Sequence, residues 1–174
     1  LCNLNEIKKI KKKIFEIWGK NKKKNKLILL HCVSDYPISS KDANLLAIKT
    51  LKKHFQDCFI GYSDHTIGTE AAIAAGSLGA SVIEKHFTLD KNFSSFRDHK
   101  LSVNPEELKM LTSQLRNLEK MRGSGLKKPG LNESKNIKNF RRAIVAARNI
   151  KKGEILKIFR LKLAKISTRS YVRQ

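Results

Sequence analysis

The fold is decided by residues 58–88, CFIGYSDHTIGTEAAIAAGSLGASVIEKHFT. Two short apolar runs, Cys58 to Ile60 and Ala80 to Ile83, have the composition of buried strands, and the alanine- and glycine-rich stretch between them predicts a helix over 69–78. A strand, a helix and a second strand in this order predict a β-α-β unit with parallel strands. Polar residues follow both strands, so we expect their side chains to meet at the carboxyl edge of the sheet, where α/β folds place their chemistry.

The same alternation of helices and strands extends in both directions along the chain. The predicted elements are a helix over 4–19, a strand over 27–33, a helix over 41–55, a strand over 59–62, a helix over 69–78, a strand over 80–84 and, after a loop over 89–103, a helix that starts at Pro105 behind an Asn104 N-cap. This order is typical of an α/β fold with a parallel sheet. Three strands buried on both faces cannot close a sheet, so we expect either further strands from residues before Leu1 or a small open fold.

A glycine-rich segment separates a second, smaller unit from the first. Gly123 to Gly130 contains three glycines and a proline, which predicts a break in the chain. We therefore expect a first domain over 1–122, a linker over 123–137 and a second domain over 138–174. In the second domain, the sequence predicts a strand over 142–147 and another that begins at Ile155, whereas 157–174 shows no clear pattern.

The formal charge of +22 raises the possibility of a nucleic-acid-binding protein, but its distribution argues for a solvated surface. Residues 1–26 carry ten Lys or Arg and two acidic residues, and residues 137–174 carry twelve and one. The middle, 27–136, carries fifteen and twelve and is nearly neutral. No apolar stretch is long enough to span a bilayer, no signal peptide is recognisable, and the three cysteines show no paired spacing. We therefore expect a cytoplasmic protein without a membrane partner, and nucleic acid is not the expected partner.

Two histidines at the ends of the predicted strands, His65 and His86, suggest a metal site. Imidazole suits divalent ions such as Mn, Fe, Co and Zn, and two histidines on adjacent strand ends can share one ion. From chemistry alone, each histidine could equally be a hydrogen-bonded residue at the edge of the sheet. Glu84 could be a ligand, a general base or a group that orients an imidazole. The loop that contains Asp98 could close over this edge or be ordinary surface.

Several motifs in a fixed order resemble the N-acetylneuraminate (sialic acid) synthase family. The motifs are Leu29-Leu30-His31-Cys32-Val33-Ser34-Asp35-Tyr36-Pro37, Gly61-Tyr62-Ser63-Asp64-His65-Thr66, Ile83-Glu84-Lys85-His86-Phe87-Thr88, Asp98-His99-Lys100, Asn104-Pro105-Glu106-Glu107-Leu108 and Ala146-Ala147-Arg148-Asn149-Ile150-Lys151-Lys152-Gly153-Glu154. The resemblance implies that the chain comprises the last three β/α units of a (β/α)8 TIM barrel, a linker and part of a SAF (antifreeze-like) domain. It also implies that the lysines and hydroxyls that hold a phosphate lie on earlier barrel strands, so the chain is expected to be an incomplete enzyme.

The resemblance implies an activity and a role for each candidate residue. Enzymes of this family condense phosphoenolpyruvate with an N-acetylated aldose such as N-acetylmannosamine, forming a nine-carbon 2-keto sugar acid and releasing phosphate. His65 and His86 would bind a divalent metal, most often Mn2+, with Mg2+ or Co2+ as alternatives. Glu84 matches the catalytic acidic residue, Ser63 a phosphoenolpyruvate contact, and Tyr36 and Asp98 contacts to the amino sugar.

Two alternatives stay open at this point. A legionaminate or pseudaminate synthase of the same mechanism differs only in the sugar, and Asp98-His99-Lys100 favours the neuraminate and legionaminate branch. A non-catalytic basic α/β fragment that binds nucleic acid or a protein partner is the alternative from another class.

The resemblance further implies a homodimer. The loop before Asp98 departs from the family's Pro-Gly-Pro-Asp and reads Ser94-Ser95-Phe96-Arg97-Asp98.

Overall fold

A computed structural model describes residues 1–23, 26–95, 98–155, 157–158 and 161–165. The chain divides into two units, Leu1–Ser124 and Gly125–Gln174. The elements of the first unit are, in chain order, α1 (Leu4–Trp18), β1 (Ile28–Cys32), α2 (Ala47–His54), β2 (Phe59–Asp64), α3 (Glu70–Ser77), β3 (Val82–Lys85) and α4 (Pro105–Arg122). The predicted alternation of helices and strands is therefore confirmed.

The three strands of the first unit form one parallel sheet in the order β1-β2-β3. In its register, Cys32 lies beside Ser63, and Ser63 lies beside Glu84. The strands approach closely at Gly61, where a Cβ atom would lie 2.6 Å from the carbonyl oxygen of Val82. The absence of a side chain at Gly61 thus lets β2 fit between its two neighbours.

The core lies between the sheet and the helices that cover it. Its buried centre consists of Ile48, Leu51, Phe55, Ile60, Tyr62 and Ala75. On the other side of α3, Gly76 faces Leu115 and Leu118 of α4, because a Cβ atom there would lie 2.7 and 3.3 Å from their methyl groups. The small residues of α3 therefore let α4 pack against it.

Helix α2 begins later than the sequence predicts. The expected helix over 41–55 is an isolated 3-10 turn over Ser40–Asp42, followed by α2 from Ala47. Asn44 between them has a φ of 45°, a left-handed conformation that interrupts a helix. Apolar spacing cannot reveal such a residue, which explains the difference.

Helix α4 begins where the sequence predicts. The Asn104 side chain accepts a hydrogen bond from the Glu107 N–H at 2.8 Å, and the Glu107 carboxylate accepts one from the Asn104 N–H at 3.0 Å. This reciprocal capping box, with Pro105 in the first turn, fixes the point at which the chain leaves the 89–103 loop.

The second unit contains helix α5 (Leu131–Phe140) and a two-stranded antiparallel sheet of β4 (Arg142–Ala146) and β5 (Leu161–Lys165). The segment expected as a linker, 123–137, contains the boundary between the two units, and its residues 131–137 form the start of α5. Helix α5 starts because the Glu133 carboxylate accepts a hydrogen bond from the Gly130 N–H at 3.2 Å. The predicted strand at 142–147 is confirmed as β4. The strand expected from Ile155 is wrong at that residue, and Leu156 lies outside the described residues.

Two further observations bear on the predictions from composition. Cys2, Cys32 and Cys58 are free thiols. None of the helices in the described part of the chain combines the length and the apolar character needed to cross a bilayer.

Candidate active site

Ser63 and Glu84 form a hydrogen-bonded pair at the carboxyl edge of the sheet. They are register neighbours on β2 and β3, so their side chains project from the same face. The buried Ser63 hydroxyl donates to Glu84 Oε1 at 2.6 Å, whereas Glu84 itself is exposed. A short hydrogen bond to a charged acceptor fixes the orientation of the carboxylate while leaving it accessible.

His65 lies directly after β2 and is held in a defined orientation. Its Nδ1 atom lies 2.9 Å from the carbonyl oxygen of Val33, and its Nε2 atom lies 3.4 Å from Ser63 Oγ. A carbonyl oxygen can only accept, so Nδ1 carries the hydrogen in the neutral ring. Since the single hydrogen of Ser63 is donated to Glu84, the lone pair of His65 Nε2 is left without a donor from Ser63.

The second histidine, His86, lies directly after β3, beside His65 and Tyr36. The ring centroids of His65 and His86 are 5.2 Å apart, in an edge-on arrangement. Tyr36 stacks on His65 with a centroid distance of 4.1 Å and meets His86 edge-on at 5.8 Å. The three rings thus lie together at the carboxyl edge of the sheet. We call the solvent-facing side of this group, with Ser63 and Glu84, the cleft.

Asp98 approaches this wall from the 89–103 loop. Its Oδ2 atom lies 4.0 Å from His86 Nδ1, and both side chains are partly exposed. The Asp98 carbonyl accepts hydrogen bonds from the N–H and the hydroxyl of Ser102, at 3.1 and 2.5 Å. The next residue, His99, places its Nδ1 atom 2.8 Å from Thr88 Oγ1. Thr88 donates its own hydrogen to the Asp90 carbonyl at 3.0 Å, so His99 is the donor to Thr88.

An ion pair that the sequence did not predict lies on the opposite face of the same strand ends. Lys85 Nζ lies 3.0 Å from Asp64 Oδ2, and the two side chains are 3% and 0% exposed. Asp64 Oδ1 also accepts hydrogen bonds from the N–H and hydroxyl of Thr66, at 2.9 and 2.8 Å, and Lys85 donates to the Thr66 carbonyl. Lys85 does not pair with its chain neighbour Glu84, because the two residues face opposite sides of β3. The sequence signal that could have revealed this pair is the presence of two charged residues, Asp64 and Lys85, in strands that are otherwise largely apolar.

Tyr62 lies beside this ion pair and is fully buried. Burial and the negative charge of Asp64 raise the pKa of its phenol, so the side chain stays neutral. The face of the sheet that carries the ion pair is therefore a packed interior. The cleft lies on the opposite face, with Ser63 and Glu84.

The structure brings all six predicted site residues together: Tyr36, Ser63, His65, Glu84, His86 and Asp98. Cys32 lies beside Ser63 in the sheet, and its Sγ atom is 3.9 Å from His65 Nδ1. His31 lies on the covered face with Nε2 2.9 Å from the Ala43 carbonyl oxygen, whereas His54 is exposed on α2. Phe96 and Arg97, within the departure from the family's loop sequence, lie outside the described residues.

The imidazole nitrogens of His65 and His86 are the donor atoms that a divalent metal would use in this site. Among the described residues, no three His, Cys, Asp or Glu side chains are grouped to hold an ion. Two neighbouring imidazoles, one with its Nδ1–H bound to a carbonyl, nevertheless match the pattern of metal-binding histidines in an open site. The residues present thus fit an ion held by His65 and His86, with its other positions left to water or substrate.

Comparison with known proteins places this geometry in a family. The NeuB family model matches residues 1–127. The N,N'-diacetyllegionaminic acid synthase of Campylobacter jejuni is 50% identical over 133 residues, which cover 76% of this chain and 39% of that protein. The enzyme of the same name from Legionella pneumophila is 42% identical over 153 residues, covering 88% and 42%.

A solved structure supports the same relationship. The N-acetylneuraminic acid (sialic acid) synthetase of Leptospira borgpetersenii serovar Hardjo-bovis, in complex with citrate, matches with a TM-score of 0.68 and 39% identity. The match covers 79% of this chain and 46% of that one. This chain therefore spans about two fifths of the length of the curated relatives named above. On these matches the chain belongs to the NeuB family of sialic-acid-type synthases.

Proposed function

We propose that this chain forms the sugar- and metal-binding part of a synthase that condenses phosphoenolpyruvate with an N-acetylated aldose. The products would be a nine-carbon 2-keto sugar acid and phosphate. One observation carries the proposal: Tyr36, His65, His86 and Asp98 lie together at the carboxyl edge of the sheet, next to the Ser63–Glu84 pair. The three β/α units would belong to a TIM barrel and the second unit to a SAF domain.

His65 and His86 are the proposed ligands of a divalent ion, with Mn2+ preferred and Mg2+ or Co2+ as alternatives. When bound, such an ion polarises a carbonyl oxygen and so makes the aldehyde carbon a better electrophile. The chain's own contribution is orientation, because the hydrogen bond from His65 Nδ1 to Val33 directs the Nε2 lone pair into the cleft.

Tyr36 and Asp98 are the proposed contacts of the aldose. Tyr36 is half-exposed and stacked on His65, so its ring offers a flat apolar surface and its hydroxyl a polar group at the same edge. Asp98 offers carboxylate oxygens that accept hydrogen bonds from sugar hydroxyls. Together they would hold the acceptor beside the two imidazoles.

Ser63 and Glu84 are the proposed groups at the phosphoenolpyruvate side. Carbon 3 of phosphoenolpyruvate would attack the aldehyde carbon, whose oxygen takes up a proton, and carbon 2 would gain positive character. Water would then add to carbon 2 with loss of a proton, and phosphate would leave as the 2-keto group forms. Glu84 is exposed and held at 2.6 Å by Ser63, so its carboxylate can stabilise the positive carbon 2 or accept the proton from that water.

The acceptor is proposed to be an aldose of the neuraminate or legionaminate type. Two of the relatives above carry the name N,N'-diacetyllegionaminic acid synthase, and the matched structure carries the name sialic acid synthetase. A mono-N-acetylated aldose such as N-acetylmannosamine and a di-N-acetylated aldose are therefore the two acceptors to compare.

The test uses the full-length protein and measures phosphate release from phosphoenolpyruvate with each aldose, with and without Mn2+. We expect release that requires both aldose and metal and that is abolished by His65→Ala and His86→Ala. His54→Ala is the matched control, because it removes an exposed histidine far from the cleft and should leave activity unchanged. Phosphate release without an aldose requirement, or equal activity in all three variants, would overturn the proposal.

The same variants separate the enzyme from a binding protein. A basic fragment that binds nucleic acid would show salt-sensitive retention on DNA that neither histidine variant changes. The homodimer implied by the family resemblance and the cytoplasmic location expected from composition stay predictions.

A further inference from the structure

We propose that the buried ion pair of Asp64 and Lys85 positions the two metal-binding histidines relative to one another. The inference rests on the proposed function, because it concerns the same site. Both residues are positioning residues, since their side chains lie on the face of the sheet opposite the cleft and act through the backbone.

The location of the pair carries the inference. Asp64 stands between Ser63 and His65, and Lys85 stands between Glu84 and His86. Asp64 and Lys85 are register neighbours on β2 and β3, one position beyond Ser63 and Glu84. Successive residues of a strand face opposite sides, so every site residue on these two strand ends is adjacent to a member of the buried pair.

The hydrogen bonds of the pair reach across His65. Asp64 precedes this histidine and Thr66 follows it, and Lys85 Nζ binds both the Asp64 carboxylate and the Thr66 carbonyl. The Asp64 carboxylate in turn accepts the N–H and hydroxyl of Thr66. The backbone on both sides of His65 is therefore tied to the strand that carries His86.

Other contacts hold His65 from the remaining directions. Its ring is fixed by the Val33 carbonyl at 2.9 Å, and its own carbonyl accepts the Ile38 N–H at 3.0 Å. These contacts tie it to the segment after β1. Two side-chain links join these strand ends among the described residues, the Ser63–Glu84 hydrogen bond and the Asp64–Lys85 pair, and of the two it is Lys85 that also binds the residue after His65. Loss of the pair should therefore change the spacing of the two imidazoles, which is now 5.2 Å between centroids.

The test measures Mn2+ binding to the full-length protein by electron paramagnetic resonance, independently of turnover. Lys85→Met removes the link but leaves the Asp64 carboxylate buried and unpaired, so this variant is also expected to lose stability. The double variant Asp64→Asn with Lys85→Met removes the buried charge as well, and it keeps an oxygen that can accept from Thr66. We expect Mn2+ affinity to fall about tenfold or more in the double variant, within the range typical of groups that orient metal ligands.

Lys11→Met is the matched control. It removes another Lys–Asp pair, Lys11 with Asp57 at 2.5 Å, which joins α1 to the turn before β2 and lies away from the cleft. The control loses one Lys–Asp ion pair that is more exposed than Asp64–Lys85, and it should keep wild-type Mn2+ affinity. Thermal unfolding by circular dichroism identifies the temperature range in which each variant is folded.

The outcomes distinguish the two proposals. Weaker Mn2+ binding in the folded double variant, with normal binding in Lys11→Met, supports the positioning role. Wild-type affinity in the double variant overturns it, and so does a double variant that fails to fold, because the pair would then serve the stability of the whole unit. Absence of Mn2+ binding in the wild-type protein would instead overturn the proposed metal site itself.

Discussion

Ser63 donates a 2.6 Å hydrogen bond to Glu84 across neighbouring strands, and its oxygen lies 3.4 Å from His65 Nε2. One hydroxyl group therefore contacts both the proposed catalytic carboxylate and a proposed metal ligand. The proposed phosphoenolpyruvate side and the proposed sugar side of the cleft would meet at this residue.

Replacing Glu84 by Gln should lower kcat by about 100-fold or more, the usual contribution of a proton-transfer group. The substitution keeps the shape of the side chain and an oxygen that can accept from Ser63, so Tm should stay near the wild-type value. Steady-state phosphate release by the full-length protein measures the effect. Activity close to the wild-type level would show that the Glu84 charge takes no part in the reaction.

Replacing Thr88 by Val should raise the KM for the aldose by about tenfold and change kcat little. The side chain keeps its shape but loses its hydrogen bonds to His99 and to the Asp90 carbonyl, each of which typically contributes about 1 kcal/mol. The loop that presents Asp98 would then be less well ordered. Thr112→Val is the control, because its hydroxyl binds only within α4. Equal KM values in both variants would argue against a role of the anchored loop in sugar binding.

Replacing Gly61 by Ala should destabilise the first unit by about 1–3 kcal/mol, the usual cost of overpacking a core. The new Cβ would lie 2.5 Å from a Leu30 methyl group and 2.6 Å from the Val82 carbonyl oxygen, which belongs to the backbone of β3. Gly76→Ala is the comparison, because its Cβ would meet only the ends of the Leu115 and Leu118 side chains and alanine favours a helix. Thermal unfolding should show the larger loss of Tm for Gly61→Ala, and the reverse order would contradict this account of the strand packing.

The Glu107 carboxyl should make the stability of the first unit dependent on acid pH. Its hydrogen bonds from Lys91 and from the Asn104 N–H lower its pKa below the ordinary value of 4.5. A carboxyl whose pKa is lower in the folded state stabilises the fold above about pH 4.5, and this contribution is lost as the pH falls through the folded-state pKa.

The wild-type protein should therefore have a higher Tm than Glu107→Gln at pH 7, with the difference shrinking below about pH 4.5. Glu106→Gln controls for the loss of one negative charge in the first turn of α4. A Tm difference that is the same at neutral and acid pH would show that Glu107 acts by packing and not by charge.

The sequence was sufficient for the parts of the fold that depend on local chemistry. Asn104 and Pro105 mark a helix start by their own hydrogen-bonding and backbone properties, and the apolar runs before Ser63 and Glu84 mark strands in the same way. The rule that parallel strands share a carboxyl edge predicted that the side chains following β2 and β3 would meet, whereas Tyr36 and Asp98 became candidates through the family resemblance. Their individual roles came from the family resemblance and stay predictions.

Features that depend on a single backbone angle or on a distant partner could not be predicted. The left-handed Asn44 shortens α2, and no pattern of apolar residues reveals it. Strand β5 pairs with β4 across fourteen or more intervening residues of mixed composition, so its local sequence carries little signal. The Asp64–Lys85 pair also depends on a distant partner. The two residues meet only through the register of β2 and β3, which their local sequence does not reveal.

The six site residues differ in how firmly the fold constrains them, and this difference has an evolutionary consequence. Ser63, His65, Glu84 and His86 lie on strand ends that are braced from behind by a buried charge pair, whereas Asp98 reaches the cleft from a loop anchored by a few side-chain hydrogen bonds. Substitutions in that loop should therefore change the proposed sugar contact and leave the spacing of the proposed metal ligands intact. New acceptor preferences would then arise by loop replacement on an unaltered pair of strand ends.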